Sequence, residues 1–425
     1  MKQCDGARIH RLRLENGLRV VHVEDRTTQM VTVNTLYAVG SRNELPERTG
    51  FAHLFEHLMF GGTTAEPDFD RPLQEACGDN NAFTTNDYTN YYDTLPVQNI
   101  EVALRLESDR MRSLAFTPRS LEVQRKVVVE EFHQNYICQP YGDMLHLLSS
   151  LCFPPGHSYS WPTIGLVPEH ISTATMEEVK RFFQCYYRPS NAILCIVGNI
   201  TWERTQELVH KWYDDVPAVP QVLAEDIQAS VRTEPQWPHR RQRRLTVRRD
   251  VPNEVLVLAF SIPSRLHPDF AACDMLSDVL GNGRSSLLWR RLVEEQHLLT
   301  HVDASVNANM GDGLLVIEAL PAPGVALGSA EEALWECIAD LRCKPLEERT
   351  LEKVKNKFEA CEAMQSIDIP HVAHRLALFE MLGDAHLIDE EIPTYRAVTS
   401  RQLHAIARRI LTKVNSFVLS YKQKN

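Results

Sequence analysis

No run in this 425-residue chain approaches the roughly eighteen consecutive apolar residues that a membrane-spanning helix requires. The first residues, MKQCDGARIHRLRLENG, hold no apolar core of the kind that a secretory leader carries. The two absences predict a protein with no membrane partner, cytoplasmic by default and periplasmic if a leader has been removed. Basic charge is also in deficit, with 45 Lys and Arg against 56 Asp and Glu and a net charge of −11. Phosphate backbones need a basic surface, which excludes nucleic acid as the main partner. The cationic run RRQRR at 240–244 reads as a solvated strand edge, and a basic substrate is weakly favoured. Cysteine is present but unorganised: ten residues, with no C-x-x-C pair and no dense framework. Several lie in apolar runs such as AILCIVG, where the thiol packs as a small hydrophobe, and this usage fits a reducing compartment.

What is present describes a soluble globular chain, 44% apolar and 24% charged, long enough for two or three domains. RLRLENGLRVVHVED reads as two strands around an Asn-Gly turn, MVTVNTLYAVGS continues as an alternating strand, and a helix carrying HLFEH follows. Later, RRLTVRRDVPNEVLVLAFSIPS repeats the strand pattern and leads into FAACDMLSDVLGNGRSS. Setting HLFEHLMFGG over MLSDVLGNGR aligns His53 with Met275. Setting TMEEVKRFFQCYYRPSNAILCIVGN over TSRQLHAIARRILTKVNSFVLSYKQ aligns Thr175 with Thr399, at nearly the same offset. The echo predicts a duplicated α+β unit of about 200 residues. Residues 216–239 carry repeated prolines and little periodicity, as a linker does, so the predicted domains are 1–215 and 240–425.

In HLFEH, residues His53, Glu56 and His57 stand at i, i+3 and i+4, so a helix projects all three from one face. Neutral imidazole binds zinc well, and a catalytic zinc site has three protein ligands with one position left for water. Two histidines one turn apart supply two ligands, and the carboxylate beside them can take a proton from the water as it attacks a carbonyl. H-x-x-E-H is the HExxH zinc motif read backwards. So short a pattern also arises by chance, and buried histidines satisfied by backbone groups are common. The repeat weighs against that plainer account: in the second half the three positions become Met275, Asp278 and Val279, so a duplicated helix needs no histidine to pack.

A carboxylate from another helix would complete the site. SLEVQRKVVVEEFHQNY is a predicted helix bearing Glu130 and Glu131, and a Glu-Glu pair is usually a solvated face. Periodicity does not choose between them: Glu131 shares a face with Leu121, Gln124 and Val128, and Glu130 shares one with Val123 and Val127.

HLFEH, CGDNNAFTTNDYTNYYDTLP, the VVVEE helix, PYGDMLHLL with HSYSWPTIG, YYRPSNAILCIVGN and LGNGRSSLLWRRLVEE together resemble the pitrilysin family of zinc peptidases, the inverzincins. The similarity is greatest to the short-chain branch typified by the mitochondrial processing peptidase β-subunit. The resemblance implies one Zn²⁺ per chain, held by His53, His57 and the second glutamate of the pair, Glu131, with Glu56 as general base. It implies two similar tandem α+β domains, each a mainly antiparallel sheet packed with helices, together forming half of a clamshell. Two such halves would close around a chamber that admits unfolded peptides or flexible segments. It also implies that NAFTT is an edge strand to which an extended peptide adds through main-chain hydrogen bonds, so that Asn81, Ala82, Phe83 and Thr84 hold substrate. Without the resemblance the same stretch reads as a tight turn leading into a core strand.

The chain departs from the family pattern at three positions. Members usually have a second glutamate seven residues before the ligand, where this chain has Gln124, able to hydrogen-bond a ligand without adding charge. Active relatives often place an arginine and a tyrosine after the LVEE-like helix to stabilise the oxyanion; the aligned residues are Val293 and Thr300. The expected function is a zinc-dependent endopeptidase acting with a second pitrilysin-like chain, either a heterodimer partner that supplies the Arg and Tyr or a second copy. A non-catalytic partner like the processing-peptidase core subunits is the alternative from another class. A maturation protease for one dedicated precursor peptide is the narrower enzyme alternative.

Overall fold

The computed structural model describes residues 8–218 and 241–424; the expected linker therefore lies outside the described residues from 219 onward. Among the described residues, eleven strands form two sheets. The first contains β1 (His10–Arg13), β2 (Arg19–Glu24), β3 (Met30–Tyr37), β4 (Asp79–Thr84), β5 (Thr89–Pro96) and β6 (Ala192–Gly198), in the order β1-β2-β6-β3-β5-β4. The second contains β7 (Arg243–Arg249), β8 (Val255–Ile262), β9 (Leu299–Asn307), β10 (Gly313–Pro321) and β11 (Ser416–Gln423), in the order β7-β11-β8-β10-β9. Apart from the added edge strand β1, the second order repeats the first, strand for strand. In each sheet one pair is parallel, β2 with β6 and β7 with β11, and the other pairs are antiparallel. The fold is thus a duplicated α+β arrangement with mainly antiparallel sheets.

Local chemistry explains how several elements start. The β1–β2 hairpin turns at Asn16-Gly17, where Gly17 has φ +93° and a Cβ would meet that of Ser190 at 2.9 Å. The Asn16 amide also donates to the carbonyls of Tyr213 and Val216, tying the turn down. Helices Met176–Tyr186 and Ser400–Ile410 each begin with a capping box, Thr175 with Glu178 and Thr399 with Gln402, and each leads through a short 3-10 turn into its sheet's parallel-paired strand, β6 or β11.

Every residue of β6 and of β8 is buried, so both faces of each sheet must be covered. Two segments cross the division expected at 216–239 to do so. Helix Ile369–Leu382 packs Val372, Ala373, Leu376 and Ala377 against Val21, Val23, Leu36 and Ile193 of the first sheet. Helix Met144–Cys152 packs Leu148 and Cys152 against Val257, Ala259, Phe417 and Leu419 of the second. Within the described residues, one compact unit therefore comprises 8–134, 161–218 and 362–390, and the other 135–160, 241–361 and 391–424. No described helix is long and apolar enough to cross a membrane.

Candidate metal centre

His53, Glu56 and His57 lie on helix Phe51–Leu58. Its other stripe, Phe51, Leu54, Phe55 and Leu58, is buried, with the Phe55 ring 5.1 Å from Phe182 and 4.9 Å from Tyr187. Aromatic packing thus fixes the rotation of the helix and turns the three polar side chains to the opposite side. Glu131 comes from helix Pro118–Phe132, which starts at a Thr117–Ser120 capping box with proline in its first turn and anchors itself through buried Leu121, Val128 and Phe132.

The two helices bring three ligand atoms together. Glu131 Oε2 lies 3.7 Å from His53 Nε2 and 3.4 Å from His57 Nε2, and all three atoms fall within 4.8 Å of one another. Ligands at zinc-bond lengths on a tetrahedron are separated by about 3.3–3.5 Å, so the donor set and its spacing fit a zinc ion. Glu130 instead is exposed and accepts from the Gln134 amide at 3.0 Å. Packing separates the two glutamates where periodicity could not. Burial holds the His53 imidazole below its usual pKa, against the pull of Glu131 and Glu56. The hydrogen bond from His57 holds the Glu131 carboxyl low, with both imidazoles adding to the effect. Neutral rings and an ionised carboxylate are the ligand forms. His53 Nδ1 is buried with no hydrogen-bond partner, so packing and the edge-on contact with His57, 4.9 Å between centroids, orient the ring.

β4 runs alongside. It is the last strand of its sheet and pairs only with β5 among the described residues. Alternation divides its side chains: the Thr84 hydroxyl donates to Glu56 Oε2 at 2.6 Å, while Phe83 turns to the other face and meets Tyr88 and His374. The Ala82 N–H is taken by the Asn81 side-chain oxygen at 2.8 Å. The expected substrate strand is thus an edge strand beside the His53, His57 and Glu131 cluster, and Thr84 has a contact with Glu56 that its strand position alone does not announce. Gln124 is half-buried two turns before Glu131 on the same helix.

The second unit shows what the repeat does without the motif. Met275 and Val279 are buried, and Asp278 pairs with the Lys357 ammonium at 2.8 Å. Val293 packs against the second core, and the Thr300 hydroxyl donates to the Leu320 carbonyl at 3.3 Å. Glu44, in the loop before the HLFEH helix, accepts N–H bonds from that helix's first turn and had no motif to mark it. The available signal was Gly50, a helix-start residue with no side chain to cap with.

A duplicated scaffold with H-x-x-E-H on one helix and a converging glutamate on another defines a zinc-peptidase class of protein. Comparison with known families gives the particular group. The model described as "Insulinase (Peptidase family M16)" matches residues 19–147, and that described as "Peptidase M16 inactive domain" matches residues 173–358. The chain belongs to this M16, or pitrilysin, family of zinc peptidases. It is 29% identical over 352 residues to "Zinc protease PqqE" of Helicobacter pylori, covering 80% of this chain and 76% of that one. It is 25% identical to "Uncharacterized zinc protease YmxG" of Bacillus subtilis, covering 95% and 96%. The crystal structure of a protease from Helicobacter pylori superposes with a TM-score of 0.90 at 25% identity, covering 98% and 99%.

Proposed function

We propose that this chain is a zinc-dependent endopeptidase that hydrolyses unfolded peptides or flexible segments. The observation that carries the reading is the convergence of His53 Nε2, His57 Nε2 and Glu131 Oε2 with Glu56 on the same helix face. These three side chains would hold the ion. Zinc there supplies Lewis-acid chemistry, drawing the pKa of a water toward neutrality and polarising a peptide carbonyl. Glu56 takes the proton from the attacking water on its carboxylate and delivers it to the departing amine. The Thr84 hydroxyl fixes one oxygen of Glu56 and leaves the other to accept that proton. The open edge of β4 takes the peptide in extended form, through backbone groups at Asn81 to Thr84, so side-chain selectivity is broad.

The side chains of Val293 and Thr300 favour a partner. Valine has no donor and the Thr300 hydroxyl is engaged by Leu320, so neither supplies the oxyanion stabilisation that active relatives often draw from Arg and Tyr. A second pitrilysin-like chain, closing with this one around a chamber, would provide it. The same observation favours the second reading, a non-catalytic subunit; the convergence of His53, His57 and Glu131 opposes it. Product mapping on a peptide library distinguishes general peptide degradation from maturation of one precursor. Glu56→Gln tests the main reading: zinc content stays at the wild-type level while peptide cleavage falls at least about 100-fold. Cleavage by this variant at the wild-type rate refutes the role of Glu56.

A further inference from the structure

The HLFEH helix begins without a capping side chain of its own. Its cap position is Gly50, at φ +89°, where a Cβ would meet the Ile164 carbonyl oxygen at 2.7 Å, so Ser, Asp or Asn is barred from that place. The first N–H groups of any helix still need acceptors. Glu44, six residues before Gly50, supplies them: Oε2 accepts from the Gly50 N–H at 2.8 Å and Oε1 from the Ala52 N–H at 2.8 Å. The residue is 2% exposed, and no lysine or arginine pairs with it among the described residues. A buried carboxyl held by main-chain N–H groups and the Trp161 indole, with no cation beside it, is an expensive way to cap a helix.

The loop that carries Glu44 explains the expense. Its 3-10 turn, Ser41–Asn43, is bonded to the turn that follows β4: the Ser41 N–H donates to the Thr85 carbonyl, the Arg42 N–H to the Asn86 carbonyl, and the Ser41 hydroxyl to the Asn86 side chain. Gly40 approaches that turn so closely that a Cβ would lie 2.4 Å from the Thr85 oxygen. The Trp161 indole closes the other side by donating to the Ser41 carbonyl at 2.9 Å. One rigid loop is therefore bonded at one end to the helix of His53, Glu56 and His57, and at the other to the end of the strand that carries Thr84.

We infer that Glu44 is a positioning residue for the proposed reaction, its forked carboxylate fixing the HLFEH helix against the loop that ends β4 and so setting where both imidazoles and Glu56 stand. The inference rests on the zinc-peptidase reading above.

The test uses the full chain with Glu44→Gln and Glu44→Ala, and measures zinc affinity by competition with a chromophoric chelator, kcat and KM on a quenched-fluorescence peptide, and thermal unfolding. Glu44→Gln keeps the shape but turns one acceptor into a donor facing an N–H. Zinc affinity is expected to fall about tenfold in Glu44→Gln and about 100-fold in Glu44→Ala, the range for groups that orient metal ligands, with kcat reduced and KM unchanged. If Glu44→Ala does not fold, Glu44→Gln carries the test. A role confined to stability lowers the unfolding temperature while the folded variants keep wild-type zinc affinity and kcat; that result overturns the inference and leaves the zinc-peptidase reading intact. A wild-type chain that binds no zinc overturns both.

Discussion

Replacing Thr84 by valine removes one hydroxyl and little else. Valine keeps the branched shape that suits β4, and the backbone groups along the open edge are untouched. What is lost is the 2.6 Å hydrogen bond to Glu56 Oε2. A hydrogen bond to a charged group is worth about 1.5–3 kcal/mol, and each 1.4 kcal/mol or so is tenfold in rate, which bounds the effect at about 10- to 150-fold. The bond is only partly buried, so water replaces some of it and the lower end, about tenfold in kcat, is expected. KM should stay near wild type if, as proposed, the hydroxyl holds the general base and the peptide is read by backbone. Steady-state kinetics on a quenched-fluorescence peptide, with zinc content measured on the same samples, decides the matter. A kcat within about twofold of wild type at full zinc occupancy would refute the reasoning. So would a raised KM at unchanged kcat, which would assign the hydroxyl to substrate binding.

Acid should weaken the first unit through His22, which is fully buried with Nε2 on the Ile200 carbonyl at 3.0 Å and Nδ1 without a partner. Burial holds its pKa below the ordinary 6.5, so the unfolded chain takes up a proton that the native state refuses; stability is intact above about pH 6.5 and is lost as pH falls through the folded pKa, by at most about 1.4 kcal/mol per pH unit. Urea titrations from pH 7.5 to 5 should show a shallower pH slope for His22→Leu than for wild type. His53, His170 and His371 are depressed as well, so it is the difference between the two proteins that reports His22, and parallel curves would dismiss it. Mixing with a pitrilysin-like chain that carries Arg and Tyr at the positions of Val293 and Thr300 should raise peptidase activity by about two to three orders of magnitude; full activity of the purified chain alone would rule out the need for that partner.

Interactions that close within one turn of chain were legible from the residues. The Asn16-Gly17 hairpin and the common face of His53, Glu56 and His57 depend on neighbours a few positions away, and the structure has both features. The duplication was legible too, because both halves must write the same strand and helix pattern to build the same sheet order. Helix Ile369–Leu382 shows where such reading stops. Its apolar spacing states that one face is buried, but the identity of the sheet beneath it, β2, β3 and β6 of the first unit, is set by a contact with residues hundreds of positions earlier. Glu44 is similar: its value comes from two N–H groups that meet it only once Gly50 turns the chain.

By itself, then, the sequence determined the repeated scaffold and the helix face on which two imidazoles and a carboxylate stand, because helical and strand periodicities are properties of local geometry. Tertiary structure decided that Glu131 rather than Glu130 turns toward those imidazoles, that Thr84 engages Glu56, and that a buried carboxylate from a preceding loop holds the helix start. Adjacent residues on a helix differ by about 100° in direction, and only the packing of buried Leu121, Val128 and Phe132 fixes which of those directions faces the site.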